Sequence, residues 1–161
     1  NQAPLNRIDE IVKELNLQSH PEGGFYSENY RSEINTEDKR GVLMTSIYFL
    51  LTSEHVSHFH RIKNDELWFH HEGSPISIHT LENGIHIEHI LGKTHGTDCR
   101  PYQLIKGNTI FGSSVLEANS YALVSCVVSP GFDFKDFELF SHEQLLKDFP
   151  NEEEIIDLLT P

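Results

Sequence analysis

The sequence predicts an all-β sandwich or barrel with helical segments at its two ends. Short apolar stretches recur at a spacing of roughly 8–12 residues through the middle of the chain, which is typical of such folds. Turn signals such as Glu82-Asn83-Gly84 and Gly92-Lys93 separate these stretches. Helical apolar spacing is confined to the ends of the chain. We therefore predict a single domain over residues 1–161, with a β core at about 20–140 and a C-terminal helical segment at 141–160.

The first predicted element is a short amphipathic helix between Leu5 and Leu17. Apolar residues recur at helical spacing, with charged residues on the other face: Ile8, Ile11, Val12 and Leu15 against Asp9, Glu10, Lys13 and Glu14. The helix is expected to stop before Pro21, because a proline disfavours helical geometry in the residue before it. The block His20-Pro21-Glu22-Gly23-Gly24 then predicts a turn into the first strand.

Nine strands are predicted after this turn, and two short helices close the chain. The strands are Phe25–Arg31, Leu43–Leu51, Ser57–Arg61, Glu66–His71, Ile76–Leu81, Ile85–Leu91, Gln103–Lys106, Val115–Leu116 and Ala122–Ser129. Ser141-His142-Glu143-Gln144 reads as a capping box at the start of the first closing helix. The acidic run Glu152-Glu153-Glu154 suits the positive end of the dipole of the second helix.

Composition excludes two classes of partner. The chain has 161 residues, 12 Lys and Arg against 25 Asp and Glu, and a formal charge of −13 with its 11 histidines neutral. Binding to nucleic acid or to an anionic membrane rests on basic residues, which are scarce here and form no run. Cys99 and Cys126 belong to no CxxC pair and are expected to be buried thiols. With no apolar run of about 18–20 residues and no signal-peptide pattern, a cytoplasmic location is expected.

Two histidines and a glutamate are the first candidates for chemistry. His58 and His60 lie two apart on a predicted strand, so their side chains are expected on one face. Glu66 on the next strand can complete a cluster of two histidines and one carboxylate, which suits Zn, Fe, Mn or Ni. Trp68 and His70 share the parity of Glu66 and are predicted to line the same face as substrate-binding residues. Five other histidines have no predicted partner: His55, His71, His89, His95 and His142.

These residues resemble the first motif of the cupin superfamily. The pattern is His58-x-His60, then Glu66, then Gly73, with five residues between His60 and Glu66, one more than the usual maximum. Five further blocks resemble a small subfamily of single-domain cupins: His20 to Tyr26, Ser46 to Leu51, His60-Arg61, Asp65 to Trp68, and Ser129 to Phe134. The resemblance implies a jelly-roll barrel, usually paired into a homodimer and similar in shape to the sugar-nucleotide 3,5-epimerases.

The resemblance also has a departure that bears on metal binding. The second cupin motif normally brings a Pro-x-Gly turn and a fourth ligand, a histidine, whereas residues 103–112 contain neither proline nor histidine. A four-ligand site would need His70, His79 or His86 in its place, although three ligands and water can also form a catalytic site.

The leading functional hypothesis is a barrel that binds a small polar metabolite, carbohydrate or sugar-nucleotide-like, and catalyses a metal-free isomerisation or epimerisation. His60 is predicted as the base, with Glu66 fixing its tautomer and raising its pKa, and Tyr48 or Tyr26 as the acid that the resemblance implies. His58 and Glu22 are further candidates for substrate contact. One alternative is a metal-dependent enzyme, dioxygenase-like or isomerase-like, with His58, His60 and Glu66 as ligands. The other is a binding or sensing module without turnover.

Arg61 is predicted to point away from the histidine pair, because it has the opposite strand parity to His60. We expect it to form a structural ion pair.

Overall fold

The computed structural model describes residues 3–94 and 98–161, and His95 lies outside these residues. It is built from two six-stranded sheets that face each other across an apolar core. The strands are β1 (Gln18–Ser19), β2 (Phe25–Arg31), β3 (Thr45–Thr52), β4 (Val56–Arg61), β5 (Asp65–Gly73), β6 (Ile76–Glu82), β7 (Ile85–Leu91), β8 (Cys99–Arg100), β9 (Tyr102–Ile105), β10 (Ile110–Val115), β11 (Tyr121–Ser129) and β12 (Glu138–Leu139). The helices are α1 (Ala3–Glu14), α2 (His142–Asp148) and α3 (Glu153–Leu158).

The strand order is that of a jelly roll, which confirms the predicted fold class. The first sheet runs β1-β2-β3-β11-β5-β9 and the second runs β12-β4-β10-β6-β7-β8. Among the described strands every pairing is antiparallel except that of β7 with β8. Alternating side chains of both sheets fill the interior between them, where Phe49, Trp68 and Phe111 are almost fully buried.

The helices cover the outer faces of the two sheets. α1 packs Ile8, Ile11 and Val12 against Leu50 and Leu123 of the first sheet, as its amphipathic pattern predicts. α2 and α3 bury a second cluster on the outer face of the other sheet: Leu145, Phe149, Ile155, Ile156 and Leu159 against Phe59, Leu81 and Ile110. The predicted capping box is confirmed, since the Ser141 hydroxyl accepts from the Gln144 amide and the Gln144 side chain accepts from the Ser141 amide.

One predicted strand is misplaced and three are missed. The strand predicted at Val115–Leu116 instead begins at Ile110, because the small residues from Gly112 to Ser114 give no apolar alternation. β1, β8 and β12 have only two residues each, too few to give a periodic signal. Both cysteines are free and buried, as expected. Among the described residues, no helix combines the length and the apolar character of a membrane span.

A bulge in β4 determines which side chains enter the barrel. Ser57 pairs with Ser113 and His60 pairs with Phe111, so His58 and Phe59 together stand opposite the single residue Gly112. The extra residue shifts the alternation of β4 by one position, and Phe59 packs into the outer cluster beneath α2 and α3. In a regular strand, the next inward-facing residue after Ser57 would lie two positions further on. The bulge adds one position, so His60, three residues beyond Ser57, faces the interior.

Candidate ligand cavity

One end of the barrel holds a cavity of about 270 Å³. The titratable side chains that line it include His20 from the turn before β2, His60 from β4 and Glu66 from β5. Its walls are largely apolar or aromatic, formed by Tyr26, Ile47, Ile62, Cys126, Val128, Phe132, Phe134 and Phe137. An apolar pocket with a few converging polar groups is the usual form of a small-molecule site.

His60 presents a bare ring nitrogen to this cavity. Its Nδ1 donates to the backbone oxygen of His58 at 2.7 Å, which leaves Nε2 without a proton when the ring is neutral. The ring packs against Phe111 and Phe137, with centroid distances of 4.3 and 5.2 Å. Burial lowers the pKa of His60 to about 4, so the ring is neutral at pH 7 and its Nε2 is a hydrogen-bond acceptor.

His20 has the opposite tautomer. Its Nδ1 accepts a hydrogen bond of 3.0 Å from the backbone amide of Glu22, so the proton of the neutral ring is on Nε2. Burial lowers the pKa of His20 to about 4 as well. The ring makes edge contacts with Tyr26 and Phe49 at centroid distances of 4.9 and 5.7 Å. His20 therefore offers the cavity a neutral hydrogen-bond donor.

Glu66 is a buried carboxyl held in place by the indole of Trp68. The indole Nε1 donates to Oε1 of Glu66 at 2.6 Å, and Trp68 itself packs edge-on against Phe49 and Phe111. Burial raises the pKa of Glu66 to about 7 and outweighs the opposing effect of the Trp68 hydrogen bond. At neutral pH the carboxyl is poised between its two protonation states, as a group that transfers protons must be.

The mouth of the cavity has paired charges. Arg31 Nη2 donates to Glu28 Oε1 at 2.7 Å and to the backbone oxygen of Phe132 at 3.0 Å. The second contact fixes the start of an aromatic segment whose rings Phe132, Phe134 and Phe137 contact one another. Because the carboxylate of Glu28 balances the guanidinium of Arg31, the mouth has no excess positive charge to attract a polyanion.

Of the other predicted substrate contacts, Tyr26 lines the cavity and Glu22 does not. The Glu22 side chain is fully buried, and neither carboxylate oxygen has a hydrogen-bond partner among the described residues. Burial raises the pKa of Glu22 to about 7. Glu22 instead contributes to the site through its backbone. Its amide donates to the ring of His20, and its carbonyl accepts from the amide of His58.

Besides Glu22, four predicted site residues do not line the cavity: Trp68, which instead holds the Glu66 carboxyl, and His58, Tyr48 and His70. His58 does not line it, because the bulge in β4 removes the two-residue alternation that was to place His58 beside His60. Tyr48 lies on the outer face of β3 near α1 and contacts His71, since its neighbours Ile47 and Phe49 are the inward-facing residues. His70 instead contacts the backbone oxygen of Ser74 through Nε2, at 2.9 Å.

The predicted coupling of His60 to Glu66 is also corrected. The backbone oxygen of His58, and not the carboxylate of Glu66, fixes the tautomer of His60. The pKa of His60 is lowered rather than raised, because the energetic cost of burying its charge dominates. Arg61, by contrast, forms the predicted ion pair, with Glu138 at 3.0 Å. His142, for which no partner was predicted, contacts the carboxylate of Asp157.

The donors in the cavity do not fit the Zn, Fe, Mn or Ni centre of the metal-dependent alternative. Nε2 of His20 carries a proton, so His60 supplies the cavity's one bare imidazole nitrogen, and one oxygen of Glu66 already accepts from Trp68. Across residues 3–94 and 98–161, no group of three or more His, Cys, Asp or Glu side chains has a geometry that could hold a metal ion. His58, which was to supply a second imidazole, is outside the cavity.

Sequence reasoning missed His20 and the aromatic segment as site components. His20 belongs to the His-Pro-Glu-Gly-Gly block, which was interpreted as a turn, and Phe132 belongs to a block interpreted as a turn with aromatic plugs. A signal was available in His20, because it lies three residues before the pair Gly23-Gly24, in a turn where its ring can accept a hydrogen bond from the backbone amide of Glu22. The long-range contact between Arg31 and Phe132 joins residues 101 positions apart and leaves no local signal.

The fold and this cavity define the protein as a jelly-roll barrel with a small-molecule cavity at one end, which is the architecture of cupins. A family model described as "Cupin superfamily (DUF985)" matches residues 9–140. The chain therefore belongs to this family of the cupin superfamily. A search of proteins with curated descriptions finds no match.

Solved structures agree with this assignment. A crystal structure of a protein from Shewanella oneidensis is 41% identical, has a TM-score of 0.89, and aligns over 95% of this chain and 96% of its own. A hypothetical protein from Leishmania major is 36% identical, with a TM-score of 0.86 and coverage of 94% and 97%. Oxalate decarboxylase from Bacillus subtilis is 13% identical, with a TM-score of 0.56 over 88% of this chain and 36% of its own length, and shares the fold alone.

Proposed function

We propose that the barrel binds a small, uncharged polar metabolite of about monosaccharide size and transfers a proton on it, as a metal-free isomerase or epimerase does. The observation that carries the proposal is Glu66, a buried carboxyl that lines the cavity and is held at one oxygen by Trp68. Its pKa of about 7 allows it to accept and return a proton at neutral pH. This assignment makes Glu66, rather than His60, the group that transfers the proton.

Size and charge support a carbohydrate over a whole sugar nucleotide. The cavity of about 270 Å³ is just below the usual range for ligand pockets, about 300–1,000 Å³. A diphosphate would also need cationic partners, and the one Arg side chain that lines the cavity is paired with Glu28. The aromatic segment from Phe132 to Phe137 suits the apolar face of a sugar ring, and the two neutral histidines suit its hydroxyl groups.

The test is a ligand screen followed by an exchange assay. Wild-type protein and Glu66→Gln are screened by thermal shift against neutral sugars, sugar acids, amino acids and nucleotides. Stabilising compounds are then incubated with protein in D₂O, and loss of C–H signals is followed by ¹H NMR. We expect neutral sugars to stabilise both proteins and only wild type to exchange a C–H proton.

Two outcomes would contradict the proposal. Stabilisation without exchange in wild type would indicate a binding or sensing module, which is the non-catalytic alternative. Exchange that disappears on dialysis against chelator and returns with added metal would indicate a metal-dependent enzyme. Lys106→Gln, at an exposed position outside the cavity lining, is the matched control and should behave as wild type.

We further propose that the chain forms a homodimer through the outer face of β5 and β9. Leu67, Phe69, Tyr102 and Leu104 alternate onto this face; the rings of Phe69 and Tyr102 contact each other in a tilted arrangement at a centroid distance of 5.6 Å, and Tyr102 and Leu104 are 47% and 38% exposed. These four side chains are uncharged in a chain with a net charge of −13, so they can pack against a second copy without bringing like charges into contact. Leu104→Lys should convert a dimer to a monomer in light scattering, whereas Leu116→Lys, at another exposed leucine, should not. A monomeric wild type would refute the dimer.

A further inference from the structure

His20 and His60 line one cavity with opposite tautomers, and the backbone determines both. The amide of Glu22 donates to Nδ1 of His20, and the carbonyl of His58 accepts from Nδ1 of His60. The two residues that hold the rings are themselves joined, because the amide of His58 donates to the carbonyl of Glu22 at 3.0 Å. The cavity therefore contains one fixed donor, Nε2–H of His20, and one fixed acceptor, Nε2 of His60.

His20 is close enough to His60 to influence the charge of its ring. His20 contributes electrostatically to lowering the pKa of His60, and burial alone lowers the pKa of His20 to about 4. Both rings are therefore neutral at pH 7, so the donor and acceptor roles persist in the working protein. Among the described residues, neither Nε2 has a hydrogen-bond partner, and both are available to a ligand.

A donor beside an acceptor matches a carbonyl beside a hydroxyl. We infer that the cavity recognises an α-hydroxycarbonyl compound, such as an open-chain aldose or ketose, with His20 donating to the carbonyl oxygen and His60 accepting from the adjacent hydroxyl. This inference rests on the proposed function, because it names the substrate class and the electrophile for proton transfer at Glu66. A neutral imidazole that polarises a carbonyl next to a glutamate base is an established way to acidify the neighbouring C–H bond.

The chemical step is balanced without a cofactor. The Glu66 carboxylate removes the proton from the hydroxyl-bearing carbon, and the electron pair of that C–H bond forms the carbon–carbon double bond of an enediolate. The π electrons of the carbonyl move onto its oxygen, where the Nε2–H of His20 stabilises the charge. The Glu66 carboxylic acid exchanges its proton with solvent and then returns a proton to the same face of the same carbon, which gives C–H exchange with retained configuration and no change of oxidation state.

The first test needs no substrate. Long-range ¹H–¹⁵N NMR spectra of ¹⁵N-histidine-labelled protein at pH 7, assigned with His20→Gln and His60→Gln, report which ring nitrogen carries the proton. We expect His20 to be protonated at Nε2 and His60 at Nδ1. The same tautomer in both rings would overturn the inference whatever the protein does to a substrate.

The second test uses defined probes in D₂O. Dihydroxyacetone and D-erythrose contain the α-hydroxycarbonyl group, while glycerol and erythritol lack the carbonyl, and pyruvate has a carbonyl without the hydroxyl. We expect wild type to exchange C–H protons of the first two compounds only. His20→Ala should lower this rate by about 10²–10³, as loss of an oxyanion donor does, and His20→Gln should retain part of it through its amide N–H. His71→Gln, on the outer face, should exchange as wild type does.

The outcomes separate this inference from the proposed function. Exchange that depends on Glu66 but is unchanged in His20→Ala, or equally fast with pyruvate, would overturn the α-hydroxycarbonyl assignment and leave proton transfer by Glu66 intact. Absence of exchange with every probe, with stabilisation by a compound lacking a carbonyl, would overturn both.

Discussion

The backbone, rather than other side chains, decides the chemistry of single residues in this cavity. His20 and His60 are the same type of residue, yet their rings make opposite hydrogen bonds to the backbone. The ring of His20 accepts from an amide, and the ring of His60 donates to a carbonyl oxygen. Their Nε2 atoms consequently differ in hydrogen-bonding role. Glu66 differs from a surface glutamate for another reason, because burial disfavours its charged form and only the indole of Trp68 offsets this.

Trp68→Phe should raise the pKa of Glu66 further above its ordinary value. The indole N–H stabilises the charged carboxylate, so its loss favours the protonated form, while phenylalanine retains most of the ring packing. The pKa is measured by ¹³C NMR titration of the Glu66 carboxyl carbon, assigned with Glu66→Gln. An unchanged or lower pKa would show that the hydrogen bond has no electrostatic role.

Glu22→Gln should stabilise the protein at pH 8 and have less effect at pH 5. The folded pKa of about 7 lies above the ordinary value of 4.5, so the folded state binds an extra proton between these pH values. Stability therefore falls as the pH rises from about 4.5 to 7, and a neutral amide avoids this loss. We expect a gain of about 1–3 kcal/mol at pH 8 in urea unfolding. Glu33→Gln, at an exposed position, should leave stability nearly unchanged at both pH values.

At the scale of elements, the turn from His20 to Gly24 and the bulge in β4 together build one wall of the cavity. The turn closes on itself with hydrogen bonds from His20 to Gly24 and from Gly23 to His20, and it lies against the backbone of Val56 and Ser57. Gly23 has a φ of +110°, and a Cβ there would lie 2.1 Å from the carbonyl oxygen of Val56. Only glycine permits so close an approach between turn and strand.

Gly23→Ala should therefore destabilise the protein more than Gly84→Ala. Gly84 also has a positive φ, +82°, but a Cβ there meets nothing within 4 Å, so its substitution adds only backbone strain of about 1–2 kcal/mol. At Gly23 the clash with strand backbone adds to that strain. Urea unfolding of both variants gives the difference, and equal losses would show that the turn can move away from β4 without cost. Displacement of the turn should also alter the ¹⁵N signals of His20.

At the scale of the whole molecule, folding shifts the pKa of several buried groups in the direction that favours the neutral form of each group. The pKa of His20, His60 and His79 is lowered to about 4, while that of Glu22 and Glu66 is raised to about 7. Burial is the dominant cause in all five. The acidic composition of the chain thus contrasts with these buried groups, because the three histidines are neutral and the two carboxyls are partly protonated at neutral pH.

The three buried histidines should each stabilise the protein less as the pH is lowered from about 6.5 to 4. Over this range the unfolded chain binds protons at His20, His60 and His79 that the folded protein excludes, because the folded pKa values are near 4. The expected loss by pH 5 is about 1–2 kcal/mol for each histidine. Glu22 and Glu66 act in the opposite direction, because their raised pKa lets the folded protein bind protons below pH 7. Urea unfolding of wild type and His79→Gln at pH 7 and pH 5 isolates one histidine, and the stability of the variant relative to wild type should be higher at pH 5 than at pH 7. An equal difference at both pH values would contradict the shift assigned to His79.

Much of the fold follows from local sequence patterns. Period-two alternation indicates β2 and β7 to the residue, helical spacing indicates α1, and Ser141 with Gln144 marks the start of α2. The matched positions of the cupin motifs identified His60 and Glu66 as site residues, and both line the cavity. These features are predictable because each depends on residues that are close together in the chain.

The tertiary structure alone decided which side chains share the cavity and in what state. Alternation placed His58 with His60, but the bulge opposite Gly112 arises from the pairing of β4 with β10, more than fifty positions away in sequence. The tautomers of His20 and His60 depend on how the turn at Glu22 docks against β4. Burial, which determines the protonation of Glu66, is a property of both sheets together. The sequence by itself determined an all-β barrel and the positions of two reactive groups, whereas strand pairing and burial determined their orientation, hydrogen-bonding role and charge.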